Sequence, residues 1–312
     1  MTEPSKTHPP DEYRTVVQRP DDFDAFWDNL LEQAAQISLN ASMELVPLRC
    51  TPEVDVYLVH YDSLDNVRIA GWYCLPHEQS GQLPVISHMP GYVGEPAIPY
   101  ESAQKGYASF GAITRGKLRS NQQFNPGYPG LLTHNIVDRN TFSYRGLYID
   151  ASRVIDFLLS RDEIDHTRIG VTGGSQGGGL TISTAALRPE VRAAAASAPF
   201  LCGFMDSIEL LHTYPYQEIR EYLRVYPERR AAVAETLAYF DGINFASCVT
   251  CPIVVNLGLQ DNVCPAETAF VTFDALASQD KHIYPYDGHG HEAGRVYHNA
   301  VLDEFFKTHL KQ

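Results

Sequence analysis

Residues 168–179 read RIGVTGGSQGGG, a short apolar run that leads into five glycines around one serine and one glutamine. Within it, residues 173–177 satisfy the pattern G-x-S-x-G. Between a strand and a helix, this pattern forms a sharp turn that holds the serine in a sparsely allowed backbone conformation. Glycines are required because a Cβ at the flanking positions would collide with the neighbouring helix and strand. The stretch therefore predicts an α/β fold that presents Ser175 as a nucleophile.

A phosphate-binding loop and a plain tight turn are the alternatives to a nucleophile turn. A P-loop requires the pattern GxxxxGK[ST], and no lysine follows these glycines. A dinucleotide-binding GxGxxG pattern does not fit GGSQGGG in register either. The nucleophile interpretation is favoured, on the condition that the chain also supplies a base and an acid.

Strand-like and helix-like segments alternate on both sides of the glycine-rich turn. Strands are predicted N-terminal to it at VDVYLVHY, RIAGWYCL, LPVISHMPGY and YASFGAITRG. Helices are predicted at residues 145–160 and 175–187. The alternation continues through the strands VRAAAASA, PIVVNLG and HIYPY to a final helix at about 296–310. This order predicts a mostly parallel sheet with helices on both faces.

One domain is predicted for residues 1–312. Residues 21–37, DDFDAFWDNLLEQAAQI, place apolar side chains at helical spacing and belong to a predicted N-terminal helical extension at about 1–40. Residues of about 203–246 break the alternation, because they are helical, aromatic-rich and charged. We interpret them as a cap inserted over the loop end of the sheet.

The serine needs a base and an acid, which follow it in the order acid then histidine in the α/β-hydrolase pattern. Asp261 is the first carboxylate after the strand PIVVNLG and is the predicted acid. Its alternative role is an N-cap for the helix near Pro265, which Asn262 could also fill. The segment HIYPYDGHGHEAG offers two bases, His289 and His291, and their spacing does not decide between them.

An acyl-transfer site also needs N–H donors for the oxyanion. The backbone N–H of Gln176, directly after the nucleophile, is the first predicted donor. The second is assigned to the N–H of Tyr92 in SHMPGYVG, where Gly91 is expected to let the backbone approach closely. His88 in the same segment is expected in a loop that could line the site.

Composition excludes several classes of function. The formal net charge of −14 and the lack of clustered Lys and Arg argue against nucleic acid and anionic membrane partners. No signal peptide or apolar run of about 20 residues is visible, so a cytoplasmic location is expected. The six cysteines are predicted to be mostly buried thiols. CVTC at 248–251 lacks a second ligand pair, so no metal is expected.

These motifs resemble those of the acetyl xylan esterase and cephalosporin C deacetylase group, carbohydrate esterase family seven. The resemblance covers nearly the whole chain. Its segments are DFDAFW, MPGYVG, Arg115-Gly116, YPGLLTHNIVDRNTFSYRGLYIDA, GGSQGG, APFLC, HTYPYQEI, YFDGINFA, GLQDNVCP and the pair His291-Glu292. One departure is Lys117, which stands where the family has Gln in its RGQ motif.

The resemblance implies an α/β-hydrolase fold with a triad of Ser175, Asp261 and His291. His291 is favoured over His289 because the family's His-Glu motif matches residues 291–292. The implied substrates are acetylated xylo-oligosaccharides, simple sugar acetates and the acetyl group of cephalosporin C, and no metal or organic cofactor is required. The resemblance also implies a structural role for Arg115 and a homo-oligomer, namely a hexamer with active sites facing an inner cavity.

Other interpretations are a different α/β-hydrolase, such as a dienelactone hydrolase or a prolyl-peptidase-like enzyme, and a non-catalytic sensor of acetylated sugars. Dienelactone hydrolases favour a cysteine nucleophile, whereas this chain carries Ser175. A sensor has no need of a strained turn with a complete set of triad residues. Reaction with an active-site phosphonate ester would distinguish a catalyst from a sensor.

Overall fold

A computed structural model describes residues 9–77 and 81–311, so residues 1–8 of the predicted extension lie outside the described residues. Within these ranges, nine strands form one sheet. They are β1 (Ser42–Leu45), β2 (Val54–Asp62), β3 (Arg68–Pro76), β4 (Leu83–Met89), β5 (Ala108–Ile113), β6 (Ile164–Gly174), β7 (Val191–Ser197), β8 (Ile253–Gly258) and β9 (Lys281–Tyr286).

Ten α-helices accompany the sheet in the described part of the chain. They are α1 (Phe23–Ala35), α2 (Tyr100–Gln104), α3 (Ser143–Leu159), α4 (Gln176–Leu187), α5 (Phe204–Leu210), α6 (Tyr216–Val225), α7 (Arg230–Ala238), α8 (Gly242–Ala246), α9 (Ala266–Ala275) and α10 (Arg295–Leu310). None of these helices has both the length and the apolar composition that crossing a membrane would require.

The strand order across the sheet is β1-β2-β3-β5-β4-β6-β7-β8-β9. The β1–β2, β2–β3 and β3–β5 pairs are antiparallel, and every pair from β5 to β9 is parallel. The predicted α/β class with a mostly parallel sheet is therefore confirmed. In such a sheet, the loops after β4, β6, β8 and β9 all leave from the same edge.

Alanines in β7 show how the sheet is covered on both faces. Ala194 and Ala196 belong to the large core cluster that also contains side chains of α3 and α4. Ala193 and Ala195 belong instead to a cluster with Phe305 and Phe306 of α10. Side chains alternate between the faces of a strand, so these two clusters lie on opposite faces. An apolar run such as VRAAAAS is typical of a strand buried on both faces.

The predicted elements agree closely with the observed ones. The helix predicted at 21–37 is α1, and the helix predicted at 145–160 is α3. The segment at about 203–246 contains α5, α6, α7 and α8, and its action as a cap stays a prediction. Sequence patterns did not predict β1, which has four mostly exposed residues, or α2, which has five residues.

The N-terminal helix is attached to the inserted segment through Trp27. Its indole is 1% exposed, and Nε1 donates a hydrogen bond of 2.9 Å to the carbonyl oxygen of Tyr239. The ring also meets Phe240 edge to face at 5.6 Å and packs against Phe245 at 5.1 Å. Helix α1 is therefore part of the packed core.

We expect Trp27→Ala to lower the free energy of unfolding by about 3–5 kcal/mol, because it deletes a buried aromatic ring. Urea unfolding followed by circular dichroism measures the loss. Leu48→Ala is the control, since Leu48 is 97% exposed and its substitution should cost less than about 0.5 kcal/mol. Equal losses in the two variants would contradict the packing of α1.

Candidate active site

Ser175 lies between β6 and α4 with φ 57° and ψ −122°. A positive φ at a residue other than glycine costs on the order of 1–3 kcal/mol and persists only where neighbours impose it. Here the N–H of Ser175 donates to the carbonyl of Ser197 at 2.9 Å. The carbonyl of Ser175 accepts from the N–H groups of Gly178 at 2.8 Å and Phe200 at 3.0 Å. The end of β7 thus supports the strained turn.

The steric reason predicted for the glycines is confirmed at four of the five. An added Cβ would lie closer than 3.0 Å to backbone atoms at Gly173 (2.6 Å, Gly177), Gly177 (2.4 Å, Met89 oxygen), Gly178 (2.7 Å, Ser197 oxygen) and Gly179 (2.1 Å, Phe200 oxygen). At Gly174, the nearest atom would be 3.9 Å away. The first turn of α4 therefore contacts other backbone segments directly.

The expectation for Gly91 was wrong. An added Cβ at Gly91 would have nothing within 4 Å. The close approach between this loop and α4 occurs instead two residues before Gly91, at Met89, whose carbonyl faces Gly177. The glycine that brings the two segments together therefore belongs to α4.

Asp261 and His291 lie together at the carboxyl edge of the sheet. His291 Nδ1 is 2.8 Å from Asp261 Oδ2. The other carboxylate oxygen, Oδ1, accepts the N–H groups of Val263 at 2.7 Å and Cys264 at 2.9 Å. The Asp261 side chain is buried and the His291 ring is 35% exposed. Asp261 does not cap α9, whose N-cap is Pro265.

His289, the alternative base, has different partners. Its Nδ1 lies 2.8 Å from Glu292 Oε1, and Glu292 also accepts the N–H of Gly290 at 3.1 Å. The carbonyl of His289 accepts the N–H of Gln260 at 2.9 Å. The contact with Gln260 fastens the histidine loop to the loop that carries Asp261. Among the described residues, His289 has no hydrogen bond to Asp261.

Cys264 connects Ser175 with the other two residues. Its thiol interacts with the Ser175 hydroxyl. Its sulfur lies within 4.8 Å of ligand atoms of Asp261 and His291, a grouping that could also accept a metal ion. Within the described residues, no direct hydrogen bond joins Ser175 to His291. In unliganded sites, this contact is often long and tightens when substrate binds.

Burial raises the pKa of the Cys264 thiol well above its usual range, and the neighbouring Asp261 adds to the shift. A neutral thiol is a poor nucleophile. Cys264 is therefore not favoured as a nucleophile at this position, and Ser175 stays the predicted one.

The N–H groups of Gln176 and Tyr92 are the two candidate oxyanion donors. Gln176 is the first residue of α4, and Tyr92 follows β4. In the part of the chain that the structure describes, neither N–H has a protein acceptor. The Met89–Gly177 contact brings their two segments side by side. Both donors are thus available to a group bound beside Ser175.

A family model described as acetyl xylan esterase (AXE1) matches residues 10–309. The chain belongs to the acetyl xylan esterase family. The resemblance seen in the sequence is thereby confirmed, as are the α/β-hydrolase fold and, at the level of the family, the class of carboxylic ester hydrolases.

Individual relatives agree with this assignment. The acetyl esterase Axe7A of Xylanibacter ruminicola is 30% identical over an alignment of 296 residues, and the match covers 90% of this chain and 66% of Axe7A. The chain thus spans just under two thirds of that relative. The structure of an acetyl xylan esterase from Paenibacillus sp. R4 matches with a TM-score of 0.88 and 36% identity, over 96% of this chain and 98% of the other.

A second solved structure, acetyl xylan esterase 1 from Thermoanaerobacterium sp. JW/SL YS485, matches with a TM-score of 0.84 and 25% identity. The match covers 95% of this chain and 96% of that chain. Both structural matches therefore extend over nearly the full length of this chain.

Arg115, expected from the family to act structurally, forms a buried ion pair with Asp150. Its Nε and one terminal nitrogen donate to the two carboxylate oxygens at 2.8 and 2.9 Å. Its backbone N–H donates to the same carboxylate at 2.9 Å. A Cβ on Gly146 would lie 2.0 Å from the guanidinium, so this glycine makes room for the pair. The pair fixes the loop after β5 to α3.

Lys117, where the family has Gln, directly contacts the segment around Tyr92 that follows β4, here called the oxyanion loop after its candidate donor. Its Nζ donates a hydrogen bond of 2.7 Å to the carbonyl of Tyr92, and the residue is 1% exposed. The ammonium lies 5.5 Å from the ring centre of Tyr128. Burial lowers the pKa of Lys117 to about 7. The lysine therefore titrates near neutral pH.

Sequence patterns missed Glu218, which binds the same loop from the inserted segment. Its Oε2 accepts the Tyr92 hydroxyl at 2.6 Å. Its Oε1 accepts the N–H of Gly130 at 2.8 Å and the hydroxyl of Thr133 at 2.9 Å. Glu218 lies 126 residues from Tyr92 in sequence, so no local pattern could have signalled the pair. A buried carboxylate of α6 thus helps to position Tyr92.

The expectation that His88 lies in a loop lining the site was wrong. His88 is part of β4, and its Nε2 lies 2.9 Å from the Ser102 hydroxyl. It lines a separate cavity of about 560 Å³ that also involves Phe306 of α10. Burial lowers the pKa of His88 to about 4. The strand simply extends further toward the site than the turn residues of HMPGY suggested.

We expect Gly177→Ala to destabilise the protein and Gly174→Ala to be tolerated. The first Cβ would lie 2.4 Å from a backbone oxygen, whereas the second would meet its nearest atom at 3.9 Å. Alanine has the higher helix propensity by about 1 kcal/mol, so a loss at Gly177 in α4 would reflect the collision. Thermal unfolding of both variants measures the difference, and equal midpoints would contradict the contact.

Lys117→Gln should change the pH dependence of stability. In the native state, Lys117 loses its proton near pH 7, but in the unfolded chain it stays protonated until about pH 10.4. The unfolded state therefore binds more protons between these values, and wild-type stability rises with pH there. Glutamine does not titrate. The stability of Lys117→Gln relative to wild type should thus be greatest at pH 6 and fall by roughly 2.7 kcal/mol by pH 9.

Urea unfolding at both pH values measures this change. Lys307→Gln is the matched control, because the Lys307 side chain is 63% exposed and its substitution should alter stability equally at pH 6 and pH 9. A constant difference for Lys117→Gln would show that Lys117 is not desolvated in the native state.

Proposed function

We propose that the protein is a serine esterase that removes acetyl groups from small carbohydrate esters, such as acetylated xylo-oligosaccharides, and from cephalosporin C. The observation that carries the proposal is the 2.8 Å contact between His291 and Asp261 beside the strained turn of Ser175. Membership of the acetyl xylan esterase family supports the acetyl ester as the bond that is cleaved.

In the first half of the proposed reaction, Ser175 Oγ attacks the acetyl carbonyl carbon while His291 Nε2 takes the hydroxyl proton. Asp261 accepts the N–H of His291 Nδ1, which keeps Nε2 free to act as the base and stabilises the imidazolium that forms. The N–H groups of Tyr92 and Gln176 hold the oxyanion of the tetrahedral intermediate. The C–O bond to the alcohol then breaks, and the alcohol leaves with the proton from His291.

In the second half, a water molecule attacks the acetyl-serine ester. His291 accepts a proton from this water, and the same two N–H groups stabilise the second oxyanion. Collapse of the intermediate breaks the bond to Ser175 Oγ, which regains its proton from His291, and the product leaves as acetic acid, which ionises to acetate in solution. Each step uses groups that lie on loops at one edge of the sheet.

The contacts of the two histidines support His291 as the base. The carboxylate of Asp261 is oriented by two backbone N–H groups. Of the two histidines, it contacts His291 and not His289 among the described residues. Glu292, which pairs with His289, is exposed and belongs to the same loop. His289 is thereby assigned to loop structure.

The test is acetate release from acetylated xylo-oligosaccharides, cephalosporin C and p-nitrophenyl acetate by wild type, Ser175→Ala, His291→Ala and His289→Ala. We expect Ser175→Ala and His291→Ala to lower kcat by about 10⁴-fold or more, since triad members act as a unit. His289→Ala should retain most of the activity. Loss of activity in His289→Ala equal to that in His291→Ala would overturn the assignment.

The acyl group and the nature of the protein as a catalyst are tested separately. A wild-type enzyme that releases no acetate but is labelled at Ser175 by a phosphonate ester would be an esterase of another substrate class. No reaction with either reagent would favour a non-catalytic sensor. The hexamer and the cytoplasmic location stay predictions, and sedimentation velocity of the purified protein tests the first.

A further inference from the structure

The two oxyanion donors belong to two different peptide groups. One N–H is that of Gln176 at the start of α4. The other is that of Tyr92, and it belongs to the peptide group whose carbonyl oxygen is that of Gly91. Rotation of this peptide group would carry the Tyr92 N–H away from the oxyanion. Any contact that fixes the Gly91 carbonyl therefore also fixes the second donor.

The side chain of Gln176 makes this contact. Its Nε2 donates to the carbonyl oxygen of Gly91 at 3.0 Å and lies 3.4 Å from that of Pro90. Its Oε1 accepts the hydroxyl of Tyr144 in α3 at 2.8 Å. Gln176 and Tyr144 are both fully buried. The amide is thus hydrogen-bonded at both ends in the protein interior.

The chemistry of these partners fixes the orientation of the amide. The Pro90 and Gly91 oxygens can only accept hydrogen bonds, so the NH₂ group must face them. The Tyr144 hydroxyl then donates to the remaining Oε1. A flipped amide would place three oxygens together, and the buried carbonyl of Pro90 and the half-buried carbonyl of Gly91 would lose their donor. The side chain has one satisfied arrangement.

We propose that the side chain of Gln176, oriented by the hydroxyl of Tyr144, positions the Tyr92 N–H for the oxyanion. Gln176 then serves the reaction twice, because its backbone N–H is one donor and its side chain fixes the other. Donation to the Gly91 oxygen also polarises that peptide group and strengthens its N–H as a donor. This inference rests on the esterase function proposed above.

Two other side chains, those of Lys117 and Glu218, form hydrogen bonds with Tyr92, but at different atoms. Lys117 donates to the carbonyl of Tyr92, which belongs to the following peptide group. Glu218 accepts the Tyr92 hydroxyl. Of the three, Gln176 contacts the peptide group that carries the donor N–H. Tyr144 and Gln176 are therefore assigned as positioning residues for that group.

The experiment compares Gln176→Met, Tyr144→Phe and the double variant with p-nitrophenyl acetate as substrate. Methionine keeps the length of the side chain without the amide. Loss of a whole oxyanion donor costs about 10²–10³-fold in kcat, so misplacing one donor should cost roughly 10–100-fold in Gln176→Met. KM should change less than about threefold, because the contact matters mainly in the transition state. Tyr144→Phe should lose roughly 10-fold.

The kcat of the double variant distinguishes a positioning role of Tyr144 from a merely structural one. If Tyr144 acts through Gln176, then Tyr144→Phe has nothing left to disturb in the Gln176→Met enzyme, and the double variant should match Gln176→Met. If the fold-losses in kcat of the two single variants multiply in the double variant, Tyr144 acts independently of Gln176, and the proposed action of Tyr144 through Gln176 is overturned. Gln176→Met with an unchanged kcat would overturn the positioning role of its side chain.

Tyr148→Phe is the matched control for a lost buried hydroxyl. Tyr148 lies one turn further along α3, is 1% exposed and donates at 2.6 Å to the carbonyl of Phe240. Its substitution should lower the thermal midpoint about as much as Tyr144→Phe while kcat stays within about twofold of wild type. A fall in kcat equal to that of Tyr144→Phe would mean that lost stability causes the effect.

The rate of Ser175 labelling by a p-nitrophenyl phosphonate separates this inference from the substrate assignment. The phosphoryl oxygen occupies the position of the oxyanion, so labelling depends on the same two donors. If wild type releases no acetate yet is labelled, the acetyl ester proposal fails. The positioning of the Tyr92 N–H by Gln176 and Tyr144 is then tested by the labelling rates of the variants. If wild type neither hydrolyses esters nor is labelled, both proposals fail.

Discussion

Direct contact between backbone segments at the first turn of α4 is the constraint on which the site depends. Three consecutive glycines, residues 177–179, face the carbonyl groups of Met89, Ser197 and Phe200 at distances that leave no room for a Cβ. These contacts hold Ser175 at φ 57° against its own preference. They also set the distance between Ser175 and the loop that carries Tyr92. Small changes in this packing would displace both together.

The rest of the site is attached to this fixed point by polar contacts between loops that are distant in sequence. Asp261 is oriented by backbone N–H groups of its own loop, and the histidine loop is fastened to that loop through Gln260. The loop after β5 is held by the buried Arg115–Asp150 pair. Removing one member of such a pair leaves an uncompensated buried charge, which commonly costs 3–5 kcal/mol. The loops therefore behave as parts of the folded core.

Local signals account for what the sequence predicted well. The glycines around Ser175 and the carboxylate after a buried strand each report the geometry of a few neighbouring residues, and the order of strands and helices follows from their periodicity. The sequence spacing of His289 and His291 could not decide between them, because the choice depends on which imidazole ring reaches Asp261. Tyr144, Glu218 and Cys264 carry no local signature, since their partners come from other elements. The expectations for Gly91 and His88 were wrong because the turn residues of HMPGY suggested that β4 ends before His88, whereas it continues to Met89.

The hydrogen bond between Glu218 and Tyr92 has a consequence for protein engineering. The helices at 203–246 form a contiguous inserted segment, which makes them an obvious target for replacement to change substrate specificity. However, α6 supplies a carboxylate that binds the oxyanion loop and the segment around Gly130 at once. A transplanted segment without it would leave a buried tyrosine hydroxyl and a backbone N–H unpaired. Chimeras with related enzymes should therefore retain α6.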